Sequence, residues 1–154
     1  MSFEQYLVPE LVKIDSKACT KTAVIAEITR LFRVKNSELN ESMLFDLFWQ
    51  REQLGSTAIG HGTALPHIRC PLIQVPSVVC MRLQHPIDFG GIDRQPCDLF
   101  IALIVPEHEY NQHLSLLSSI SEKLRQKNFR NMCRQAQNNR EFFEILMATE
   151  EEII

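Results

Sequence analysis

Apolar residues recur at helical spacing in several stretches of this chain. One such stretch runs from Lys21 to Phe32, and a second from Met43 to Glu52 places Arg51 in its last turn. Further amphipathic helices are predicted over Tyr110 to Leu124, Phe129 to Ala136 and Arg140 to Met147. The first helix can be capped by Thr20 or Thr22, and the second by Asn40 or Ser42.

Two apolar, partly β-branched runs bounded by prolines have the pattern of buried strands. They span Ser77 to Leu83 and Leu99 to Val105, and we expect them to lie side by side in a sheet. Helices followed by strands and then by helices predict an α/β sandwich with a mixed, mostly parallel sheet. We expect residues 1–154 to form a single domain, with a frayed tail from about residue 148 to residue 154.

Composition excludes several classes of protein. The chain has 154 residues, 45% of them hydrophobic, and a formal net charge of -3, without the basic clusters that bind nucleic acid. No apolar run is long enough to enter a membrane as a span, and no signal peptide is recognisable. The five cysteines lie far apart without a CxxC pair, so we expect reduced thiols in a cytoplasmic protein rather than disulfides or a zinc site.

The segment from Leu54 to His67 is the strongest candidate for chemistry. Three glycines and Pro66 limit its backbone to turns and short extended pieces, so the imidazole that follows them can be held in a fixed direction. A neutral imidazole with one nitrogen fixed by a hydrogen bond leaves the other free to attack. His67 is therefore the predicted nucleophile.

The other histidines have weaker claims to a function. His61 lies between two glycines and is either a residue that lines a site or a polar residue in a turn. His113 begins a predicted helix, where a partly exposed ring can meet an anion or merely cap the helix. His85 and His108 are expected in connecting turns, without a role in the site.

Several blocks of the chain together resemble a known family. They are Arg51 to His67, Pro86 to Phe89, Ile92 to Leu99 and Ala102 to Pro106. These blocks resemble the enzyme IIA domain of the bacterial phosphoenolpyruvate-dependent phosphotransferase system, mannitol/fructose class, and within it the nitrogen-regulatory enzyme IIA. The resemblance extends over nearly the whole chain, and it implies a mixed sheet covered by helices on both faces.

The resemblance also implies roles for individual residues. His67 would accept a phosphoryl group on Nε2 from a phosphocarrier protein of the HPr type, with Arg51 and His113 flanking it as phosphate contacts. The family usually has a small residue, commonly glycine, directly after the active histidine, and this chain has Ile68. We expect that bulk to affect the local backbone and the fit of the partner.

The chemistry of phosphoryl transfer is consistent with these residue types. Charge spreads over three oxygens in the transition state, so a planar guanidinium such as that of Arg51 and a donor such as His113 can stabilise it. Hydroxyls of Ser56, Thr57 and Thr63 are possible further donors, although they also suit turn stabilisation. Exchange between two histidines requires no metal or organic cofactor.

Three alternatives remain open from the sequence. The first is a IIA component that passes phosphate to a IIB component for sugar transport. The second is a binding module whose phosphorylation state regulates a kinase, a transporter or an enzyme. The third is a metal-dependent hydrolase with His61, His67 and His113 as ligands, although no short-spaced ligand pair supports it.

Overall fold

The computed structural model describes residues 2–108 and 110–153, and these residues form a sheet with helices packed on both faces. Two short 3-10 helices, Phe3–Tyr6 and Pro9–Leu11, precede the first strand. The strands are β1 (Val12–Ser16), β2 (Ala58–Gly60), β3 (Thr63–Ala64), β4 (His67–Cys70), β5 (Ser77–Ile87) and β6 (Cys97–Pro106). The helices are α1 (Lys21–Lys35), α2 (Glu41–Gln53), α3 (Tyr110–Arg125), α4 (Lys127–Gln135), α5 (Asn139–Met147) and α6 (Glu150–Ile153).

The two long apolar strands predicted from the sequence form the centre of the sheet. The strands β5 and β6 pair antiparallel, and the sheet order is β1-β5-β6-β3-β2, with β4 paired to β6 outside that path. The pairs β1 with β5, β3 with β6 and β4 with β6 are parallel, whereas β2 with β3 is antiparallel. The predicted mixed, mostly parallel sheet is thus confirmed.

Alternate residues of β5 and β6 enter two different hydrophobic clusters, one on each face of the sheet. Val79 and Phe100 pack with residues of α1 and α2, whereas Val78 and Leu103 pack with residues of α3, α4 and α5. This alternation follows from strand geometry, in which successive side chains point to opposite faces. The helices therefore cover both faces, as expected.

Side chains cap the first two helices where the sequence offers them. The Thr20 hydroxyl accepts a hydrogen bond from the Ala23 N–H, and the Asn40 side chain accepts one from the Met43 N–H. Of the alternatives considered, Thr20 and Asn40 are the caps. Helix α2 ends at Gln53, so its last turn contains Arg51, as predicted.

The short strand β4 lies at an edge of the sheet and begins with His67. The first half of β6 pairs with β3 at Leu99 and Phe100, and its second half pairs with β4 from Leu103 onward. Helix α2 packs against β4. On the other face, α3 packs on β6, because Leu116 of the helix joins Leu103 in one hydrophobic cluster. The strand that starts with His67 thus lies between two helices.

The structure corrects two local predictions and adds one strand. The C-terminal residues are not frayed as far as they are described: Glu150–Ile153 is helical, and Ile153 is only 5% exposed in the core. Residue 154 lies outside the described residues. His85 lies within β5 rather than in a turn, and strand β1 was not predicted at all.

Helices among the described residues are all too short or too polar to cross a membrane. The cytoplasmic location stays a prediction.

Candidate active site

Backbone hydrogen bonds hold the residues before His67 on both sides. The Leu65 N–H donates to the carbonyl oxygen of Thr57 at 2.9 Å, and the Leu103 N–H of β6 donates to the carbonyl oxygen of Pro66 at 2.9 Å. The glycines upstream permit the turn between β2 and β3, since Gly60 and Gly62 both have positive φ. The glycine-rich segment therefore consists of short extended pieces and turns, as predicted, and delivers His67 from a fixed backbone.

The His67 ring has one nitrogen fixed and one available. Its Nδ1 lies 2.8 Å from the carbonyl oxygen of Leu65. Because a carbonyl can only accept, Nδ1 carries the proton of the neutral ring, and Nε2 keeps its lone pair. The ring is half-buried, so it can still be approached from solvent. The imidazole thus has the tautomer that a nucleophile attacking through Nε2 requires.

Burial lowers the pKa of His67 below 6.5, its ordinary value. The guanidinium groups of Arg51 and Arg69 lower this pKa further, whereas the hydrogen bond to Leu65 and the carboxylate of Glu52 oppose the change. The balance favours the neutral ring. A neutral ring is the nucleophilic form, so the surroundings favour the reactive state near neutral pH.

A cavity of about 530 Å³ lies at the edge formed by β4. Helix α2 contributes one wall, and the first turns of α3 contribute the opposite wall. His67, Arg51 and His113 all line this cavity, so the structure brings together the three residues that the sequence singled out. The other lining residues are Leu47, Gln50, Leu54, Ile68, Arg69, Leu103, Val105, Leu114 and Leu117.

Arg51 and His113 reach the cavity from different helices. The Nη1 of Arg51 donates to the carbonyl oxygen of Gly55 at 2.8 Å, which orients a half-buried guanidinium at the end of α2. His113 lies in the first turn of α3, but it is only 3% exposed, so the expected partly exposed ring is wrong. The cavity therefore contains two groups that can act as cationic or N–H donors near His67.

The structure does not bring the other candidate residues to this cavity. Ser56 donates to the Phe89 carbonyl oxygen at 2.6 Å and so joins two segments that are distant in sequence. Thr63 donates to the Gly60 carbonyl oxygen at 2.6 Å and stabilises the turn between β2 and β3. Thr57 bonds to the buried carboxylate of Glu52. His61 is exposed and lines a separate cavity of about 450 Å³.

The three-histidine metal site is wrong. His61 lines a different cavity from His67 and His113, so the three rings do not converge. Across residues 2–108 and 110–153, no group of three or more histidine, cysteine, aspartate or glutamate side chains is arranged to hold a metal ion. A hydrolase built on that triad therefore has no support in the geometry.

Sequence reasoning missed two kinds of residue at this site. Arg69 lines the cavity two residues after His67, and strand alternation would have placed both side chains on one face. Leu54, which is 85% exposed, and Leu114, which is 49% exposed, form an apolar rim around the cavity. Exposed leucines beside a reactive residue are typical of a surface that meets another protein.

Ile68 lies in β4 with its backbone paired to Ile104, and its side chain is buried among core residues on the α2 face. The strand conformation suits a β-branched residue. Its bulk therefore fills the core and part of the cavity wall.

Comparison with known proteins places these residues in a family. Residues 5–148 match the family model described as "Phosphoenolpyruvate-dependent sugar phosphotransferase system, EIIA 2". The chain is 32% identical over 144 residues to the nitrogen regulatory protein of Pseudomonas aeruginosa, a match that covers 94% of each chain.

Solved structures show the same fold. The nitrogen regulatory protein IIA-Ntr of Neisseria meningitidis has a TM-score of 0.87 and 29% identity, covering 94% of this chain and 98% of that one. The IIA domain in a mannitol IIA–phosphorylated IIB complex of Escherichia coli has a TM-score of 0.73 and 20% identity, over 91% of this chain and 96% of that one. Because the family model matches residues 5–148, most of this chain, the chain belongs to the EIIA 2 family of the phosphoenolpyruvate-dependent sugar phosphotransferase system.

Proposed function

We propose that this chain is a phosphoryl carrier that accepts a phosphoryl group on Nε2 of His67 from a phosphorylated HPr-like protein. The supporting observation is the Nδ1 hydrogen bond to Leu65 in a cavity shared with Arg51 and His113. It provides a nucleophile of fixed tautomer together with groups that can neutralise phosphate oxygens.

The transfer is a displacement at phosphorus. The lone pair of His67 Nε2 attacks in line, a new P–N bond forms, and the P–N bond to the donor's histidine breaks, with its electron pair returning to the donor imidazole. Throughout the attack Nδ1 keeps its proton and continues to donate it in the hydrogen bond to the Leu65 carbonyl oxygen. Arg51 binds the equatorial oxygens with its planar fork, and His113 donates a further N–H.

The experiment is phosphorylation by phosphoenolpyruvate, enzyme I and a panel of HPr-type donors. We expect acid-labile incorporation into the wild-type chain and none into His67→Ala. His61→Ala is the matched control, because His61 lies outside the cavity and this variant should be phosphorylated normally. Undiminished incorporation into His67→Ala would exclude His67 as the acceptor.

The output of this carrier is proposed to be mainly regulatory. Its support is the match, over 94% of each chain, to a relative named as a nitrogen regulatory protein. Capture experiments with the two phosphorylation states should then recover a kinase or transporter that prefers one of them.

The alternative output is sugar transport, with the phosphate passed on to a IIB component. The fold shared with the IIA domain of the mannitol IIA–IIB complex favours testing it. Incubation of the phosphorylated chain with mannitol- and fructose-type IIB proteins distinguishes the two. Rapid loss of phosphate to a IIB protein supports transport, whereas a stable phosphorylated form supports regulation.

A further inference from the structure

Glu52 follows Arg51 in the last turn of α2, but its carboxylate is buried. Only 1% of the Glu52 side chain is exposed, and the residue is not part of the cavity wall. A buried carboxylate is costly unless hydrogen bonds and opposite charge compensate it. The partners that Glu52 has acquired therefore indicate what this side chain does.

Both carboxylate oxygens of Glu52 bind the same downstream residue. Oε1 accepts a hydrogen bond from the Thr57 N–H at 3.1 Å, and Oε2 accepts one from the Thr57 hydroxyl. Lys21 adds an ion pair at 3.0 Å to Oε1 and also donates to the carbonyl oxygen of Phe89 at 3.1 Å. The carboxylate thus fastens the loop that follows α2 to the end of the helix that carries Arg51.

A continuous series of hydrogen bonds leads from Thr57 to the imidazole. The carbonyl oxygen of Thr57 accepts from the Leu65 N–H at 2.9 Å, and the carbonyl oxygen of Leu65 accepts from His67 Nδ1 at 2.8 Å. The next peptide is held from the opposite side, where the Leu103 N–H donates to Pro66. The backbone of Leu65 is therefore oriented by its hydrogen bond to Thr57, and Thr57 is in turn oriented by Glu52.

We infer that Glu52 is a positioning residue for phosphoryl transfer, which acts through Thr57 and Leu65 to keep the His67 proton on Nδ1 and Nε2 in register with Arg51. The inference rests on His67 being the phosphoryl acceptor. Glu52 neither lines the cavity nor contacts the reacting atoms, so the effect inferred for it is on the geometry of the ring, separate from the influence of its charge on the pKa of His67. Small displacements of a catalytic group cost up to about 100-fold in rate, so this hold is worth measuring.

Two substitutions separate reach from charge. Glu52→Asp keeps the negative charge but is one methylene shorter, so it cannot hold both Thr57 donors from the same helical position. Glu52→Gln loses the charge but keeps the length, and its amide oxygen can still accept from the Thr57 N–H. Positioning requires a side chain long enough to bond to Thr57. Only Glu52→Asp should therefore weaken the hold on the Leu65 backbone.

The decisive measurement is nitrogen-15 NMR of the His67 ring, which reports the fraction of each tautomer. In Glu52→Asp we expect a population with the proton on Nε2 and a fall of about 10- to 100-fold in the maximal transfer rate. The KM for the donor is measured in parallel, because Glu52 fastens the loop that begins with the rim residue Leu54. A positioning role requires the fall in the maximal rate to exceed any change in that KM. At a pH well above 6.5, where the His67 ring is neutral in both proteins, the ring signals and the rate of Glu52→Gln should stay near those of the wild type. Loss of the carboxylate should lower the pKa of His67 further.

Two results overturn the inference: wild-type ring signals in Glu52→Asp, or a perturbation in Glu52→Gln as large as that in Glu52→Asp. Perturbation by Glu52→Gln alone would make charge, not side-chain length, the cause. Should Glu52→Asp fail to fold, Thr57→Val removes the hydroxyl bond alone and is judged by the same ring signals. The tautomer measurement needs no phosphate. A wild-type chain that takes no phosphate therefore overturns the proposed function without deciding whether Glu52 orients the ring.

Discussion

The Nδ1 atom of His67 lies 2.8 Å from the carbonyl oxygen of Leu65, two residues earlier in the chain. This bond determines which ring nitrogen is free, and β4 directs the ring toward a cavity shared with Arg51. A single backbone acceptor thus selects the tautomer, and the two neighbouring helices supply the groups around the free nitrogen.

The transfer rate should stay constant as pH falls through 6.5. Burial lowers the pKa of His67 below this ordinary value, so the ring remains neutral where an exposed histidine would already be charged. The rate should fall only around the lowered pKa. The transfer rate measured across a pH series, together with an NMR titration of His67, checks this expectation. A midpoint at pH 6.5 in both the rate profile and the titration would contradict it.

The same shift makes stability depend on pH. Because the folded pKa lies below the unfolded value of 6.5, the unfolded chain binds more protons between the two values. The contribution of His67 is therefore fully present above pH 6.5 and is lost as pH falls to the folded pKa. Urea denaturation of wild type and His67→Gln over this window should show the dependence reduced in the variant.

Replacing Arg51 should slow transfer without unfolding the protein. Arg51→Ala removes a half-buried guanidinium that makes one hydrogen bond to Gly55, so the fold should persist while the rate falls by roughly 10- to 1000-fold. Arg51→Lys keeps the charge without the planar fork and should recover only part of the rate.

A second property of Arg51 variants distinguishes a site residue from a surface charge. Because its guanidinium lowers the pKa of His67, Arg51→Ala should raise that pKa, whereas Arg51→Lys should leave it nearly unchanged. NMR titration of His67 measures both. Normal transfer and an unmoved His67 titration in Arg51→Ala would show that Arg51 acts on neither.

The apolar rim should control docking of the donor. Leu54 is 85% exposed at the cavity. Leu54→Glu should therefore raise the donor KM about tenfold through lost apolar contact, with the maximal rate nearly unchanged. Ile92→Glu is the matched control, because Ile92 is 102% exposed and does not line that cavity. A similar rise in both variants would exclude a specific rim.

Lys123 should make a large contribution to stability. Its ammonium, on a side chain only 8% exposed, donates to Glu4 at 2.8 Å and to the carbonyl oxygens of Leu146 and Ala148 at 3.0 and 2.8 Å. Lys123→Met leaves these acceptors without that donor and should lower the free energy of unfolding by about 3 kcal/mol. Urea denaturation measures the loss.

The control for Lys123 is an exposed ion pair. Arg140 and Glu144 have side chains 89% and 63% exposed, so Arg140→Met should cause no measurable change. Adding Glu4→Gln to Lys123→Met should recover part of the stability, since it removes the unpaired carboxylate. Equal losses of unfolding free energy in Lys123→Met and Arg140→Met would show that burial does not determine how much each ion pair contributes to stability.

Periodicity predicted the long elements and missed the short ones. The helices and the two central strands carry enough apolar positions for their spacing to be read. Strand β1 has five residues, of which Lys13 and Asp15 are charged, and it is stabilised by pairing with β5, a contact far away in sequence. The acidic run before Ile153 likewise conceals a residue that packs into the core.

Local pattern was enough to select His67 as a candidate, but its surroundings could not be predicted. The burial of His113 depends on how α3 packs over β6, and the role of Glu52 depends on a bond to Thr57 beyond the helix end. A glutamate in the last turn of a helix has no local feature that signals such a contact. Tertiary packing determines these properties.

The separation of the site residues in the chain has a consequence for folding. Arg51 comes from α2, His67 from β4 and His113 from α3, and their common cavity requires β4 to be paired with the second half of β6. A nascent or partly unfolded chain has the histidine but not its surroundings. With His67 as the proposed acceptor, competence to accept phosphate should therefore report the fraction of molecules that have reached the native fold.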